Sequence, residues 1–294
     1  MKIEHSYNGK PTGVWAQMIE DSIPTGGGPR LSTMVVRIPR IVLAEWNTHR
    51  AFSRNSASSR AIPAKTFRER VLSDPYIPWR WPVNGKGMSP AKYHDWWSAA
   101  EIAWGEALAN AAQIHRAMEE QGVHKEVTNR LLEPWMFTEV LTTATEWDNF
   151  LQQRDHTLAQ DGLHAAAECV RDLRAQSVPV ERDLHLPYIT TEERASGVHW
   201  TVLMLASARR CRRVSYMNQG VAVPLLEDAA AGLSGLEESP PHLSPYEHMA
   251  KSRSGSYPFA NLKGWQALRN MVETETYDVQ MLRARLQFAL ENAQ

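Results

Sequence analysis

The stretch from Glu45 to Arg60 constrains this chain more than any other segment. Its sixteen residues include three arginines, four serines, two asparagines and one histidine. An ordinary surface turn or core segment would not need so many hydrogen-bond donors. Arginines offer planar forks for an anion, and small serines let a ligand approach backbone N–H groups. The stretch therefore predicts a loop that binds an anionic ligand, with a solvated basic loop as the alternative.

This stretch resembles the signature of the flavin-dependent thymidylate synthases, which reads Arg-His-Arg, seven residues, then Ser. Here Thr48-His49-Arg50 is followed after seven residues by Ser58, and Arg60 comes two positions later. Further along, residues 125–132 resemble the Lys/Arg-Glu-Val-Ala-Arg segment of the family. Residues 149–160 resemble its Asn-Phe-Leu-x-x-Arg helix.

Two motifs that precede the signature in that family follow it here. Residues 208–216 resemble Ala-Ala-Arg-Val-Ser-Tyr, and residues 242–248 resemble His-x-Thr/Ser-Pro-Phe-Glu-His. We therefore expect a circularly permuted version of the fold, since permutation is tolerated where the original termini lie close together at the surface. The expected fold class is α+β: helix-rich, with a small mixed or antiparallel sheet, as in flavin-dependent thymidylate synthases.

The resemblance implies a pyrimidine nucleotide, dUMP or a relative, as substrate. Arg154 matches the catalytic arginine that binds the pyrimidine and favours its ionised form. Arg130, or Asn129 if the register slips by one, matches an arginine that the family donates across a subunit interface. The other residues at substrate-binding positions are Glu45, Ser56, Ala57, Ser58, Ser59 and Arg60.

The resemblance also implies FAD as cofactor, with NADPH and methylenetetrahydrofolate as co-substrates, in a homotetramer whose active sites lie between subunits. The residues at flavin or folate positions are Thr48, His49, Arg50, Ser56, Thr143, Thr145, Asn149, His242 and Ser244. Three of the residues assigned by the resemblance also have a purely structural interpretation. Asn149 could cap its helix, Arg154 could form a surface ion pair with Asp148 or Asp155, and His242 could be a loop histidine without a role.

Several residues depart from the family pattern. Glu45 replaces a glutamine, Thr48 replaces an arginine, and threonines 143 and 145 replace asparagine and arginine. A carboxylate accepts hydrogen bonds but cannot donate them, so Glu45 would suit a cytosine amino group or a differently bound uracil. One alternative is therefore a flavin- and folate-dependent pyrimidine nucleotide hydroxymethylase for modified DNA. Another is a non-catalytic nucleotide- or nucleic-acid-binding protein.

Charge is distributed unevenly in a chain whose formal net charge is −1. Residues 37–70 carry eight Lys/Arg against two Glu, while residues 226–238 carry four acidic side chains and no basic one. A locally basic region on a neutral chain favours a small anion over a nucleic acid, so we expect no stable nucleic-acid complex. The arginines of 209–213 are interpreted as a solvated helix end that complements the helix dipole.

The two cysteines, Cys169 and Cys211, have neither metal-like nor disulfide-framework spacing and indicate a reducing cytoplasm. Both are interpreted as structural rather than nucleophilic. The N-terminus has no apolar run, and no stretch approaches the ~18 apolar residues of a membrane span. We expect no membrane association and a cytoplasmic location, in the host cytoplasm if the protein is phage-encoded.

The patterns predict a single catalytic domain over residues 1–294. Its predicted parts are a strand, a helix and the signature loop in 1–60, a helical region in 95–178, the permuted motifs in 195–255 and C-terminal helices in 256–294. Apolar spacing predicts a strand at 34–38, a helix from Pro39 to about His49 and a long helix at 95–121 that Gly122 ends. Further predictions are an irregular excursion at 61–93, a mobile lid or excursion at 218–241, and helices at 245–253, 261–272 and 277–291.

Overall fold

A mixed six-stranded sheet forms the centre of the fold. The computed structural model of the chain describes residues 1–87, 90, 92–94, 98–216, 221–253, 258–274 and 278–292. In chain order the main strands are β1 (Lys2–Tyr7), β2 (Lys10–Ile23), β3 (Leu31–Pro39), β4 (Ser53–Ser56) and β5 (Phe137–Ala144). Their spatial order is β1-β2-β3-β5-β4, with every neighbouring pair antiparallel. A short sixth strand, β6 (Val180–Glu181), pairs in parallel with β2.

Two helices cover the two faces of this sheet. Val36 belongs to the core cluster formed with α6 (Asp161–Gln176), and its neighbour Val35 belongs to the cluster formed with α8 (Trp200–Arg212). Adjacent residues in a strand point to opposite faces, so β3 is apolar on both sides. This explains why 34–36 is an unbroken apolar run rather than an alternating one.

The remaining elements surround these layers. The other helices are α1 (Leu43–Trp46), α2 (Ala64–Ser73), α3 (Ser98–Glu120), α4 (Lys125–Thr128), α5 (Asp148–Arg154), α7 (Thr191–Arg194), α9 (Leu225–Glu237), α10 (Leu268–Glu273) and α11 (Val279–Glu291). A three-stranded sheet joins β7 (Leu184–His185), β8 (Ala250–Ser252) and β11 (Trp265–Ala267), while β9 (Pro258–Phe259) pairs with β10 (Leu262–Lys263). Among the described residues, no helix is long and apolar enough to cross a membrane.

The α+β class and several local predictions are confirmed. The strand predicted at 34–38 is the centre of β3, and α3 ends just before Gly122, whose φ of 78° is the left-handed conformation expected there. Residues 95–97, the predicted start of that helix, lie outside the described residues. The helix predicted from Pro39 is shorter than expected, because only a 3-10 turn at Arg40–Val42 and α1 form.

The prediction of a lid or excursion at 218–241 is wrong for the described part, which contains α9. Ala229, Leu233 and Leu236 of this helix are buried in one cluster with α8. Its small residues serve close packing, because a Cβ at Gly232 would collide with the backbone of Leu205. The Ala-, Gly- and Ser-rich composition thus reflects helix contact rather than mobility. Residues 218–220 lie outside the described part.

Two of the three C-terminal helix predictions are also wrong. Residues predicted as a helix at 245–253 form a 3-10 turn, Ser244–Glu247, followed by β8. The region 261–272 begins with β10 and β11 and becomes helical only at Leu268. The third prediction is confirmed by α11. Short strands of two or three residues are too brief to show a period, so sequence spacing did not distinguish them from helix.

The interpretation of 209–213 as a solvated helix end is wrong as well. Arg210 and Arg213 are each only 8% exposed, and both donate to the buried carboxylate of Asp228. Arg210 also binds Glu193 at 2.6 Å. This carboxylate belongs to the capping box that Thr190 forms at the start of α7. The arginines therefore join α8 to α7 and α9.

Candidate active site

A cleft of about 670 Å³ brings the signature stretch together with three other segments of the chain. The lining residues from the signature and its flank are Arg54, Asn55, Ser56, Ser58, Arg60 and Ala61. Those from the other segments are Lys125 and Glu126 of α4, Ser215 and Tyr216 after α8, and His242 and Ser244. The cleft thus unites the signature with segments that begin 64 or more positions after Ala61 in the sequence.

Hydrogen bonds join the signature directly to the segment 208–216. Asn55 Nδ2 donates to the carbonyl oxygen of Cys211 at 3.0 Å, and Ser215 Oγ donates to Asn55 Oδ1 at 2.9 Å. The backbone N–H of Ser58 donates to the carbonyl oxygen of Ser215 at 3.3 Å. The buried Asn55 side chain therefore fixes the position of Ser215 and Tyr216 at the edge of the cleft.

Alternate residues of the signature loop face in opposite directions. Ala57 and Ser59 are fully buried, whereas Ser58 is half-buried and Arg60 is exposed. Ser59 Oγ donates to Glu133 Oε1 at 2.6 Å, and this oxygen also accepts from Arg130 at 2.7 Å. Ala57 and Ser59 therefore hold the loop, while Ser58 and Arg60 are the side chains that a ligand in the cleft can reach.

Arg130 and Asn129, the two residues that could match the family's nucleotide-contacting arginine, have different surroundings. Asn129 is fully buried, and its amide donates to the carbonyl oxygens of Ser59 at 2.7 Å and Ile62 at 3.1 Å. Arg130 has a half-exposed side chain. Asn129 thus supports the signature loop from inside, whereas the side chain of Arg130 reaches solvent.

Four cleft residues outside the signature, namely Lys125, Glu126, Ser215 and Tyr216, were not singled out in the sequence, although their motifs were. Lys125 begins the segment that resembles Lys/Arg-Glu-Val-Ala-Arg, and its Nζ donates to the carbonyl oxygen of Ala61 at 3.2 Å. Ser215 and Tyr216 end the segment that resembles Ala-Ala-Arg-Val-Ser-Tyr. The signal was therefore present, but only the fold shows which motif positions face the cleft.

Arg154 lies in a second group, next to the cleft but outside its lining. Its Nε donates to His49 Nε2 at 3.0 Å, and its Nη2 donates to Thr48 Oγ1 at 3.4 Å. These contacts replace the surface ion pair considered for Arg154. The group connects to the cleft through Arg54, which donates to the carbonyl oxygen of His49 at 2.7 Å.

His49 is held as a neutral imidazole. The side chain is 5% exposed and its ring meets Phe150 edge-on at 5.0 Å. Burial lowers the pKa of His49 to about 4, and the nearby guanidinium groups of Arg154 and Arg54 act in the same direction. Since Nε2 accepts from Arg154, the neutral ring carries its proton on Nδ1. A threonine at 48, where the family has arginine, avoids a further cation beside Arg154.

The expected flavin positions Thr143, on β5, and Thr145, just after it, already have partners inside the protein. Thr143 is fully buried, and its Oγ1 lies 2.6 Å from Thr33 Oγ1 and 2.8 Å from His248 Nδ1. Thr145 Oγ1 accepts from the backbone N–H of Lys263 at 3.1 Å. These threonines therefore contribute to core structure and to the attachment of β10.

Three other expected site residues differ in exposure. Asn149 is exposed on α5 and accepts from Gln153 at 3.0 Å. The N-cap of that helix is Trp147, so the capping alternative for Asn149 is wrong. Arg50 is exposed, and Glu45 is half-buried, with an Oε2 that has no hydrogen-bond partner among the described residues. Glu45 and Arg50 do not line the cleft.

Both cysteines are buried free thiols. Burial raises the pKa of Cys169 to about 12 and raises that of Cys211 as well. Neither sulfur lines the cleft, so the cleft contains no cysteine nucleophile. The structural interpretation of both cysteines agrees with these positions.

Comparison with protein families matches residues 31–180 to the family described as thymidylate synthase complementing protein. The match spans half of the chain, and the chain belongs to this family. The matched region contains the signature and Arg154 but ends before 208–216 and 242–248.

No curated protein matches the chain. Among solved structures, a similar one is the crystal structure of a UMP/dUMP methylase, PolB from Streptomyces cacaoi, bound with 5-Br dUMP. The two chains are 15% identical, with a TM-score of 0.40, and the alignment covers 50% of this chain and 67% of that one.

Proposed function

We propose that this protein is a cytoplasmic, circularly permuted flavin-dependent thymidylate synthase. It transfers a one-carbon unit from methylenetetrahydrofolate to C5 of dUMP, with hydride from FAD that NADPH has reduced. The observation that carries the proposal is the cleft that the signature shares with Ser215, Tyr216, His242 and Ser244. Membership of the thymidylate synthase complementing family supports the same assignment.

The nucleotide phosphate is assigned to the basic end of the cleft. Arg60 is exposed, Ser58 presents a hydroxyl group, and Lys125 Nζ lies on the same wall. A guanidinium fork and an ammonium group together match the charge of a monophosphate, and hydrogen bonds between charged groups are the stronger kind. Ala57 and Ser59 act indirectly in this assignment, by holding the loop from its buried side.

Arg154 is assigned to the pyrimidine ring, where it favours the ionised base by placing fixed positive charge beside developing negative charge. Neutral His49 orients its guanidinium without cancelling its charge. Arg130 is assigned to the nucleotide of a neighbouring subunit, in a homotetramer with shared sites. Its half-exposed side chain, anchored by Glu133, supports that role.

FAD supplies the hydride that converts the transferred methylene into a methyl group. The residues assigned to it are Arg50, Ser56, Asn149, His242 and Ser244, all of which reach solvent at least in part. His242 Nε2 lies 3.2 Å from Ser244 Oγ in the lining of the cleft. Burial lowers the pKa of His242, which favours its neutral imidazole. The neutral imidazole and the serine hydroxyl group can both form hydrogen bonds with an uncharged flavin ring. Thr143 and Thr145 are left out because their hydroxyl groups are already engaged.

The reaction replaces the C5 hydrogen of dUMP, so tritium release reports it. Purified protein is expected to show a flavin absorption band. It should also release tritium from C5-labelled dUMP when methylenetetrahydrofolate and NADPH are both present. Omitting the folate is the matched control, because C5 then has no carbon to accept. Protein that binds no FAD and releases no tritium would contradict the proposal.

A hydroxymethylase acting on a pyrimidine monophosphate is the second candidate. The observation that favours it is Glu45, whose buried Oε2 accepts from no donor among the described residues. A cytosine amino group could supply that donor. Mass analysis of the products from dUMP and dCMP separates the candidates, since a methyl product from dUMP alone would end the second one. Salt-sensitive oligonucleotide binding without flavin would instead favour the non-catalytic alternative.

A further inference from the structure

A cluster of side chains that could ligate a metal ion lies where α5 ends, and none of its members lines the cleft. Asp155 directly follows that helix, and His164 and Glu168 lie four positions apart on α6, so they share one face. One ligand atom from each of these three residues lies within 4.8 Å of the others. A cavity of about 230 Å³, lined in part by His5, His164 and Glu168, adjoins the cluster.

The distances within this cluster resemble those between ligands of one small cation. His164 Nε2 lies 3.6 Å from Asp155 Oδ1, and His5 Nε2 on β1 lies 3.3 Å from Glu168 Oε2. Tetrahedral zinc with bonds of about 2.0–2.1 Å separates its ligand atoms by about 3.3 Å. The ligand atoms that lie within 4.8 Å of one another belong to Asp155, His164 and Glu168. His5 contacts this group through Glu168, so a movement of the His5 side chain would be needed to complete a sphere of four ligands.

Two neighbouring side chains hold potential ligands in place. Thr12 Oγ1 lies 2.9 Å from His5 Nδ1 and donates to the carbonyl oxygen of His5, so the His5 ring turns its Nε2 towards Glu168. Arg171 donates to Asp155 Oδ2 at 2.7 Å and leaves Oδ1 facing His164. Metal-binding imidazoles and carboxylates usually have such outer partners, which fix the ring or carboxylate orientation.

We propose that Asp155, His164 and Glu168, with His5 as fourth ligand, bind a Zn²⁺ ion. Imidazole nitrogens favour zinc over magnesium and calcium, which prefer oxygen ligands, and two carboxylates balance the charge of the ion. Four protein ligands leave no open position, so the site is structural. It connects β1, the end of α5 and α6, and it fixes the backbone one residue beyond Arg154.

Zinc binding by the tag-free, chelator-treated full chain tests this proposal. Equilibrium dialysis against ZnCl₂ is expected to give one Zn²⁺ per chain, and saturation is expected to raise Tm because the ion binds the folded state. His164→Ala and Glu168→Gln are expected to abolish that stoichiometric binding. Thr12→Val keeps every ligand and removes only the partner of His5, so it is expected to weaken affinity about 10–100-fold.

His156→Ala is the matched control, because His156 is exposed one residue beyond Asp155 and lies outside the cluster. Its zinc binding is expected to equal that of the unaltered chain, and excess Mg²⁺ should not compete. Circular dichroism and Tm without zinc establish that each variant is folded. Absence of stoichiometric binding by the unaltered chain would overturn the proposal. The proposal would also be overturned if the folded variants His164→Ala and Glu168→Gln still bound zinc stoichiometrically. The cluster would then be a set of ion pairs only.

Discussion

Two arginine-rich stretches of this protein use the same side chain in opposite ways. In 209–213, Arg210 and Arg213 are buried and bind Asp228, while Arg212 binds Glu238 at 2.8 Å. In 50–60, Arg54 donates to the carbonyl oxygens of Asn47 and His49 and, within the described part of the chain, to no carboxylate. Arg50 and Arg60 are exposed and form no ion pair with any residue that the structure describes. The first stretch holds helices together, and the second leaves positive charge available at the cleft.

The difference comes from where the acidic side chains lie. The acidic segment 226–238 folds against α8, mostly as α9, so Asp228 and Glu238 neutralise the arginines of 209–213. Hydrogen bonds from Arg210 to Glu193 raise the pKa of Arg210, whereas burial lowers the pKa of Arg54. A cation without a paired carboxylate is the better partner for an incoming anion. Arginine density alone therefore does not indicate a binding site.

The largest expected effect is a loss of stability when the ion pairs of the stretch 209–213 are broken. Asp228→Asn removes the carboxylate between Arg210 and Arg213, and these two buried cations then repel each other. The free energy of unfolding is expected to fall by about 3–5 kcal/mol, measured by urea denaturation. The control is Glu238→Gln, because Glu238 is 43% exposed and its ion pair is worth less than about 1 kcal/mol. Equal losses in both variants would remove the distinction between buried and exposed pairs.

A substitution in the stretch 50–60 should change the affinity for the ligand rather than the stability of the fold. Arg60→Ala is expected to weaken dUMP affinity about 10–100-fold, the effect of losing one charge-assisted hydrogen bond. Stability should stay within about 0.5 kcal/mol, since Arg60 is exposed. Calorimetric titration and urea denaturation measure the two quantities. Arg285→Ala, at an exposed arginine of α11, is the control, and a comparable loss of affinity there would indicate a nonspecific charge effect.

The smallest expected effect is the pH response of His49, which neighbours arginines but no paired carboxylate. Its pKa is about 4 in the folded protein and about 6.5 when unfolded, so between these values only the unfolded chain binds the proton. The free energy of unfolding should therefore fall as the pH drops from about 6.5 towards 4, by at most about 1.4 kcal/mol per pH unit. Urea denaturation at pH 7 and pH 5 measures this slope.

His49→Gln should flatten that slope without abolishing it. Burial also lowers the pKa of His248, to about 3, and that of His185, so both residues add to the slope in either protein. The difference between the two proteins therefore isolates His49. His156→Gln, at an exposed histidine, is the control substitution. If His49→Gln and the unaltered chain show the same pH slope of the free energy of unfolding, then the pKa of His49 does not differ between the folded and unfolded states.

Predictions of local structure succeeded where one residue type or a clear apolar pattern indicates a helix, a strand or the end of one. Gly122 ends α3 because its positive φ needs a glycine, and the strand predicted at 34–38 forms the centre of β3. Prediction failed at α9 and at the short strands near the C-terminus. In α9, small residues such as Gly232 are explained only by contact with α8, which sequence spacing does not reveal.

By itself, the sequence determined the fold class, the basic signature loop and its resemblance to a family, because these depend on residue type and local spacing. Only the tertiary structure decided which of those residues reach a common cleft. Ser58 and Arg60 face the cleft while Ser59 and Thr143 lie in the core, and Asn55 joins the signature to a segment more than 150 positions later. Burial and long-range pairing arise from chain segments that meet only on folding, so no local pattern encodes them.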